Sequence, residues 1–320
     1  MKGPPGSGAS VDVVYAWVDG AWPGYLDEVA RHAGRPVDKN PNRYRDNLDL
    51  LKYSLRSLEA HAPWIGRVHV VTARPQIPRW LDTSAPGLRI VHHDEIFEAR
   101  HLPTFSSFAI EASLARAPDL SERFLYFNDD MVLGRELKSS DVMTDDGQAR
   151  IHLEWNRSVA LRSDSHPWRA AVGFANELLD RAFGTVRARR LVRHAPVLMD
   201  RECWRLLAEK WPEALEATRS ARFRGGHAFA PEHLYPHFCL ETGRAEAIST
   251  LRSYREAGYV SLDNRRWLVE LQLAVARRLR PIFLTLNDNF DETASANVVA
   301  TVRGFLDSWF PRPSRFELPC

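Results

Sequence analysis

The sequence predicts an α/β fold with a mostly parallel central sheet and helices on both faces. Three observations carry this. Short β-branched and aromatic runs alternate with amphipathic stretches through the first half of the chain. The runs are apolar throughout, as strands buried on both faces are, rather than alternating apolar with polar. Several end on a polar group: Asp19, Thr72, or the pair Asp129 and Asp130. Ligands of such sheets bind beyond the carboxyl ends of the strands, so one cleft can collect these residues.

In order, VDVVYAWVDG (11–20) reads as a buried strand closed by an Asp-Gly turn. Residues 21–42 are rich in Pro, Gly and charge, with LDEVARHA as a short helix. Leu48, Leu51, Leu55 and Leu58 recur at helical spacing within 43–64, and Pro63 stops that helix. RVHVVTAR (67–74) is a second strand, and LRIVHHDEIF (88–97) contains a third. TFSSFAIEASLARAPDL (104–120) reads as a helix entered through Thr-Ser-Ser, and FLYFNDDMVLG as the fourth strand. The second half changes character. Residues 152–162 suggest a strand, and 169–219 look helical and basic, with Arg181, Arg187, Arg189, Arg190 and Arg193 close together. Residues 260–288 mix strand-like and helical patches, and 297–310 form an amphipathic helix ended by PRP. No internal repeat or linker stands out. One body over 11–320 follows a flexible leader, 1–10, with the helical second half packed on the sheet.

Composition narrows the function. At 44% apolar and 26% charged, the 320 residues form a globular chain with a sizeable core. A net charge of +2 argues against a nucleic-acid binder. Cys203, Cys239 and Cys320 are far apart and support neither a disulfide framework nor a zinc site, so a cytoplasmic setting is expected and Cys203 and Cys239 read as buried thiols without an obvious partner. The start has no apolar segment of a signal peptide, and no run approaches the ~18 apolar residues of a membrane span. LVELQLAVARRLR (268–280), with its basic end, is either a core-packed helix or a peripheral membrane contact.

The candidate chemistry centres on acids. Two carboxylates ~4 Å apart repel by about 4 kcal/mol at an effective dielectric near 20. A proton or a hard divalent cation offsets this, and Mg²⁺ is commonly shared with substrate phosphates. Asp129 and Asp130 are therefore candidate metal ligands; the competing reading is a polar turn. LNDNFDE (286–292) offers Asp288, Asn289 and Asp291 to the same ion. Arg43, Arg45, Asp46 and Asn47 at a helix start make either an anion site or an ordinary cap. HLPTFSS (101–107) can bind a phosphate or sugar hydroxyl, or merely cap a helix. His194 follows the basic cluster, and in a cleft an imidazole of pKa about 6.5 suits proton removal from an alcohol. Arg222 and Arg224 suit phosphate pairing, and the nearby histidines lack metal-ligand spacing.

Four blocks bear a resemblance. DVVYAWVDG (12–20), the stretch from RYRDNLDLL through FLYFNDDMVLG (43–134), RHAPVLMDRE through RSARFR (193–224) and LNDNFDE through PSRFE (286–317) are similar, in order, to the Stealth proteins. These are bacterial capsule and cell-wall polysaccharide phosphotransferases, together with the catalytic subunit of the lysosomal-enzyme N-acetylglucosamine-1-phosphotransferase. The resemblance implies a glycosyltransferase A-like nucleotide-sugar fold and a divalent metal, Mg²⁺ or Mn²⁺. It implies transfer of hexose-1-phosphate, with N-acetylglucosamine the family-weighted sugar, from a UDP-sugar to a glycan hydroxyl, releasing UMP. On that reading 11–150 binds the nucleotide sugar, 151–285 faces the acceptor, and 286–320 completes the metal site. The metal would sit on Asp129, Asp130 and Asp288, with Asn289 beside it. Arg224 and Arg45 would grip phosphate oxygens, and His194 would be the general base, a role Asp129 can exchange with it. Trp17, Asp19 and Gly20 would meet the nucleotide end, with Asn47, Thr72 and Ser106 toward phosphate and sugar. The short spacers favour a bacterial glycan acceptor, and segment 139–185, outside the blocks, is where acceptor choice is expected. The rivals are a glycosyltransferase releasing UDP and a non-catalytic glycan- or nucleotide-binding module.

Overall fold

The structure is a computed structural model that describes residues 10–34, 48–159, 166–225, 227–290 and 293–319. Arg43, Arg45, Asp46, Asn47, Asp291 and the leader, apart from Ser10, lie outside these residues.

Among the described residues, twelve strands follow in chain order: β1 Asp12–Ala16, β2 Val68–Thr72, β3 Leu88–His92, β4 Arg123–Asn128, β5 Met131–Leu133, β6 Ala149–Ile151, β7 Leu153–Ser158, β8 Arg189–Val192, β9 Val197–Asp200, β10 Ala245–Ala247, β11 Ala257–Leu262 and β12 Phe283–Asp288. The central sheet runs β3-β2-β1-β4-β9. Its first four strands are parallel, and β9 is antiparallel to β4. Val13, Val14 and Tyr15 of the central strand are wholly buried, which explains its unbroken apolar run. Asp12 fastens the amino ends of these strands: its carboxylate accepts from the Arg67 N–H at 2.7 Å and the Ser121 N–H at 2.9 Å.

The run FLYFNDDMVLG is not one strand. β4 stops at Asn128, Asp129 and Asp130 turn, and β5 enters a second sheet of order β11-β12-β5. The helix Leu50–His61 holds β5 in place through polar residues on its buried face. The Ser54 hydroxyl donates to the Met131 carbonyl, and the Ser57 hydroxyl accepts from the Leu133 N–H at 2.9 Å. Tyr15 on β1 meets Ser54 at 2.9 Å, so the first sheet, the helix and the second sheet are bonded in series.

Elsewhere the expectations need correction. The helix expected over 104–120 is only Ser107–Glu111 followed by a 3-10 turn, Leu114–Arg116. Its entry is pinned as irregular chain by the Phe105 N–H bonding the Arg222 carbonyl at 2.8 Å. The stretch 169–219 is helical over Pro167–Phe183, Arg201–Lys210 and Pro212–Arg219, but it also holds β8 and β9. Two of its arginines are structural: buried Arg189 pairs with Asp180 at 2.6 Å, and Arg187 bonds Glu241. Cys203 and Cys239, expected to lack partners, face each other in the core with sulfurs 2.8 Å apart. The helix Arg266–Leu279 packs inward through Val269, Leu273 and Ala276 and turns Trp267, Leu271, Val275 and Leu279 to solvent. No helix among the described residues is long and apolar enough to cross a membrane.

The final segment is tied back by an ion pair of low exposure. Arg56 grips Glu317 through Nε at 2.7 Å and Nη2 at 2.6 Å, and its Nη1 donates to the Phe310 carbonyl at 3.0 Å. Burial would raise the Glu317 pKa, but the hydrogen bond and charge of Arg56, with Ser314, outweigh it and hold it below the usual carboxylate range. The pair therefore stabilises the fold above the unfolded-state Glu pKa and fades as pH falls through the lowered folded value. Glu317→Ala leaves Arg56 shielded from water and unpaired and is expected to cost about 3 kcal/mol or more. In thermal melts at pH 7 it should lower Tm by several degrees, and the gap from the parent should narrow at pH 3.

Candidate active site

Strand direction alone assembles a cleft. The carboxyl ends of β1, β2 and β4 share one edge of the central sheet. Because β9 is antiparallel to β4, its amino end reaches the same edge and carries His194 there, three residues before Val197. Because β12 is antiparallel to β5, its carboxyl end returns to where β5 begins, bringing Asp288 toward Asp129 and Asp130. The Leu286 N–H bonds the Asp130 carbonyl at 2.9 Å and fixes that return. The resulting cavity is about 790 Å³, and Trp17, Asn128, Asp129, Asp130, His194, Arg224 and Asp288 all line it.

A polar chain runs along its floor. The Tyr126 hydroxyl donates to Asn128 Oδ1 at 2.5 Å, and Asn128 Nδ2 meets His194 Nε2 at 3.2 Å. The same Nε2 lies 3.6 Å from Asp130 Oδ2. Burial disfavours the charged imidazole, yet the hydrogen bond and charge of Asp130, with Glu232 adding, leave the His194 pKa raised. Arg224 donates to Ser107 Oγ through Nε at 2.9 Å and Nη2 at 2.6 Å, and its guanidinium lies 5.0 Å from the centre of the Phe108 ring. Glu111 is buried beside Glu232, which accepts from Trp168 Nε1 at 2.6 Å. Burial first, then the Glu232 charge, holds the Glu111 carboxyl well above the usual range.

The remaining expected residues sit as follows. Asp19 turns its carboxylate onto the Ala21 N–H at 2.9 Å, shaping the turn behind cavity-lining Val18; Gly20 is buried in that turn. Thr72 is buried, and its neighbours Val71 and Ala73 reach the cavity instead. Ser106 is also buried, its hydroxyl accepting from the Ala109 N–H at 3.4 Å as a helix cap, and Ser107 is the serine that faces the cleft. Asn289 stands behind the wall: it donates to Ser261 Oγ at 2.8 Å and accepts from Asn287 Nδ2 at 2.8 Å.

For a cation, the telling atom is Asp130 Oδ1, shielded from water and without a hydrogen-bond partner among the described residues. The Asp288 carboxyl opens on the cleft but is partly shielded by its walls; that shielding and then the Asp130 charge raise its pKa. Oxygens this electrostatically strained suit a hard cation. Among the described residues, one trio of acidic and histidine side chains has its ligand atoms within 4.8 Å of one another: Glu98, His101 and Glu216. Arg100 already bonds Glu98 at 3.0 Å and Glu216 at 2.9 Å, so that cluster is neutralised without a metal. The carboxylates of Asp129, Asp130 and Asp288 line the same cavity but do not form such a closed trio.

Comparison with known proteins bears on the four blocks. Residues 43–151 match Stealth protein CR2, conserved region 2; 193–241 match CR3, conserved region 3; and 275–320 match CR4, conserved region 4. The chain belongs to the Stealth family. An exopolysaccharide phosphotransferase of Streptomyces coelicolor is 37% identical over 318 residues, covering 96% of this chain and 52% of that one. One from Nocardia farcinica is 33% identical over 98% of this chain and 62% of its own, and CpsY of Mycobacterium leprae is 33% identical over 96% and 57%. The chain thus spans about half to three-fifths of the length of these relatives. Among solved structures, galactosyltransferase LgtC, in complex with donor and acceptor sugar analogs, is loosely similar: 12% identity, TM-score 0.44, 93% of this chain and 96% of that chain. The glycosyltransferase GlyE of Streptococcus pneumoniae stands at 10%, TM-score 0.45, 98% and 65%. The Stealth chain has the mixed α/β, mostly parallel central sheet expected of a glycosyltransferase A-like fold.

Sequence reasoning passed over Glu111 and Glu232 as site residues, and it did not single out Ser107 within HLPTFSS or Asn128 beside the acid pair. Glu111 had a signal, being an acid on the apolar face of a short helix; Glu232 reads as an ordinary first-turn acid. For the Stealth site, titration with Mn²⁺ should show binding that Asp130→Asn and Asp288→Asn each weaken at least about tenfold. Glu98→Gln should leave that binding unchanged, and the two cleft variants should keep the parent Tm.

Proposed function

We propose that this Stealth chain transfers a sugar-1-phosphate from a UDP-sugar to a hydroxyl of a bacterial glycan and releases UMP. The observation that carries the reading is the convergence of Asp129, Asp130, Asp288, His194 and Arg224 on one cavity from four separate segments. The exopolysaccharide phosphotransferase names of the relatives support it. N-acetylglucosamine-1-phosphate is the donor moiety that the family resemblance favours.

Charge favours a resident cation. Among the described residues, six carboxyl side chains (Glu111, Asp129, Asp130, Glu154, Glu232 and Asp288) line the cleft, against Arg193 and Arg224. A diphosphate entering such a cleft meets net repulsion unless positive charge is added. Asp129, Asp130 and Asp288 would hold Mg²⁺ or Mn²⁺, and what a bound ion supplies is charge shared with the diphosphate oxygens and the departing phosphate. The protein does the positioning. Arg224, braced by Ser107 and lying over Phe108, presents its guanidinium to the transferring phosphoryl group. With His194 Nε2 carrying its hydrogen toward Asp130, Nδ1 is left to receive the proton. The acceptor oxygen attacks the β-phosphorus, the bond from that phosphorus to the bridging oxygen breaks, and UMP leaves with the bridging oxygen. The acceptor proton passes to His194, and Asp130 stabilises the imidazolium. The sugar C1–O bond is untouched, so anomeric configuration is retained.

Phosphorus NMR of protein incubated with UDP-sugars, Mg²⁺ or Mn²⁺ and glycan fragments should show UMP. His194→Ala should slow its release by about 10²–10⁴-fold. Asp130→Asn and chelation by EDTA should abolish it. UDP as the nucleotide product would replace this reading with ordinary glycosyl transfer, and nucleotide binding without turnover would leave a binding module.

A further inference from the structure

Beside the cleft lies a group of aromatic rings that the chemistry above does not use. Trp155 on β7 is 63% exposed, Tyr254 on the helix Thr250–Glu256 is 39% exposed, and Tyr259 on β11 is 43% exposed. Large aromatics left in water cost free energy unless something covers them in use. Trp155 and Tyr254 are also held rather than loose. Trp155 and Tyr254 lie 6.5 Å apart, centre to centre, at 31°. The Arg193 guanidinium sits 4.0 Å from the centre of the Tyr254 ring, and that of Arg190 lies 6.0 Å from the Trp155 ring. Arg193 is itself fixed by the Ala257 carbonyl at 2.5 Å, and Arg190 by the Thr250 hydroxyl.

The group is continuous with the cleft. Arg193 lines the cavity, stands 3.8 Å from Glu154 of the same wall, and immediately precedes His194 in the chain. Tyr259 also lines the cavity, its hydroxyl meeting Asn289 Nδ2 at 3.4 Å. Flat apolar faces rimmed by guanidinium, carboxylate and amide groups match a pyranose ring, which offers an apolar face of C–H groups and a rim of hydroxyls.

We propose that Trp155, Tyr254 and Tyr259 form a subsite that stacks the sugar rings of an extended acceptor glycan and leads its reacting hydroxyl to His194. The proposal rests on the transferase reading and names the surface by which that site takes its acceptor. Arg190 and Arg193 act as positioning residues that hold the rings. A lipid surface fits less well, because the rings border a cavity instead of forming a protruding apolar face.

The test is binding of the labelled chain to an array of bacterial capsular and cell-wall polysaccharide fragments, with calorimetric titration of UDP alongside. Trp155→Ala and Tyr254→Ala are expected to weaken binding to each fragment the parent retains by on the order of tenfold. Trp155→Phe should restore most of it, Asp130→Asn should leave it intact, and UDP affinity and Tm should not move. Fragment binding undiminished in both alanine variants, or no fragment bound by the parent, overturns the subsite. Release of UDP in place of UMP sinks the phosphotransferase reading while leaving the subsite standing, so the two fail separately.

Discussion

The structure turns on two residues in which the chain leaves one sheet and joins another. β4 ends at Asn128 in the parallel sheet, and β5 begins at Met131 in the sheet of β11 and β12. Asp129 and Asp130 fill the gap. Such a junction cannot slide, because both of its sides are bonded. β4 is paired with β1 and β9, and β5 is paired with β12 and fastened to Ser54 and Ser57 of the Leu50–His61 helix. A one-residue slip would turn every side chain of β4 to the opposite face. The acids are therefore placed by the register of strands that are almost wholly buried.

That placement has an electrostatic cost which the neighbours reduce unequally. Asp130 has His194 on one oxygen and, among the described residues, no partner on the other. Burial and then the charge of neighbouring Glu232 hold the Glu111 carboxyl well above the usual range, so that buried acid resists carrying charge in the cleft. Arg224 is left to lean on the neutral hydroxyl of Ser107 and the face of Phe108, its charge not cancelled by a bidentate carboxylate. A guanidinium kept in this state costs less to reassign to an incoming phosphate than one that must first break a salt bridge. Arg189, buried against Asp180, shows the other use of the same residue type.

Much of the first half was legible, because strands buried on both faces leave unbroken apolar runs and the Leu51 to Leu58 spacing is helical, although the helix begins at Leu50 and leaves Leu48 outside it. The acid pair was legible for the same reason: polar groups at the end of such a run stand out. What escaped was set by long-range pairing. β8 and β9 are four-residue strands, one of them rich in arginine, and only their partners β7 and β4 make them strands. The long helix expected after Pro103 is shortened by a bond from Phe105 to Arg222, which no local pattern announces. Ser106 and Ser107 are equivalent in the sequence, and the direction of one helical turn decides which of them caps and which faces the cleft. Cys203 and Cys239 are separated by 36 residues and meet only because their helices pack.

Three of the segments that meet in the cleft also constrain how the site comes into being. Asp129 and Asp130 are delivered by a parallel strand, His194 by an antiparallel strand that joins the sheet edge, and Asp288 by the last strand of the second sheet. Contacts between segments this distant carry the largest loop-closure cost, so they are expected to form after the local helices. A cation site completed by Asp288 would accordingly exist only once β12 has docked on β5, and the segment that docks it is anchored in turn by Arg56 and Glu317. On the proposed reading, the negative cleft is competent for a diphosphate only in the complete fold. A chain that has formed the parallel sheet but not the second one would hold Asp129 and Asp130 without the third acid, and the nucleotide would meet repulsion instead of a bound ion.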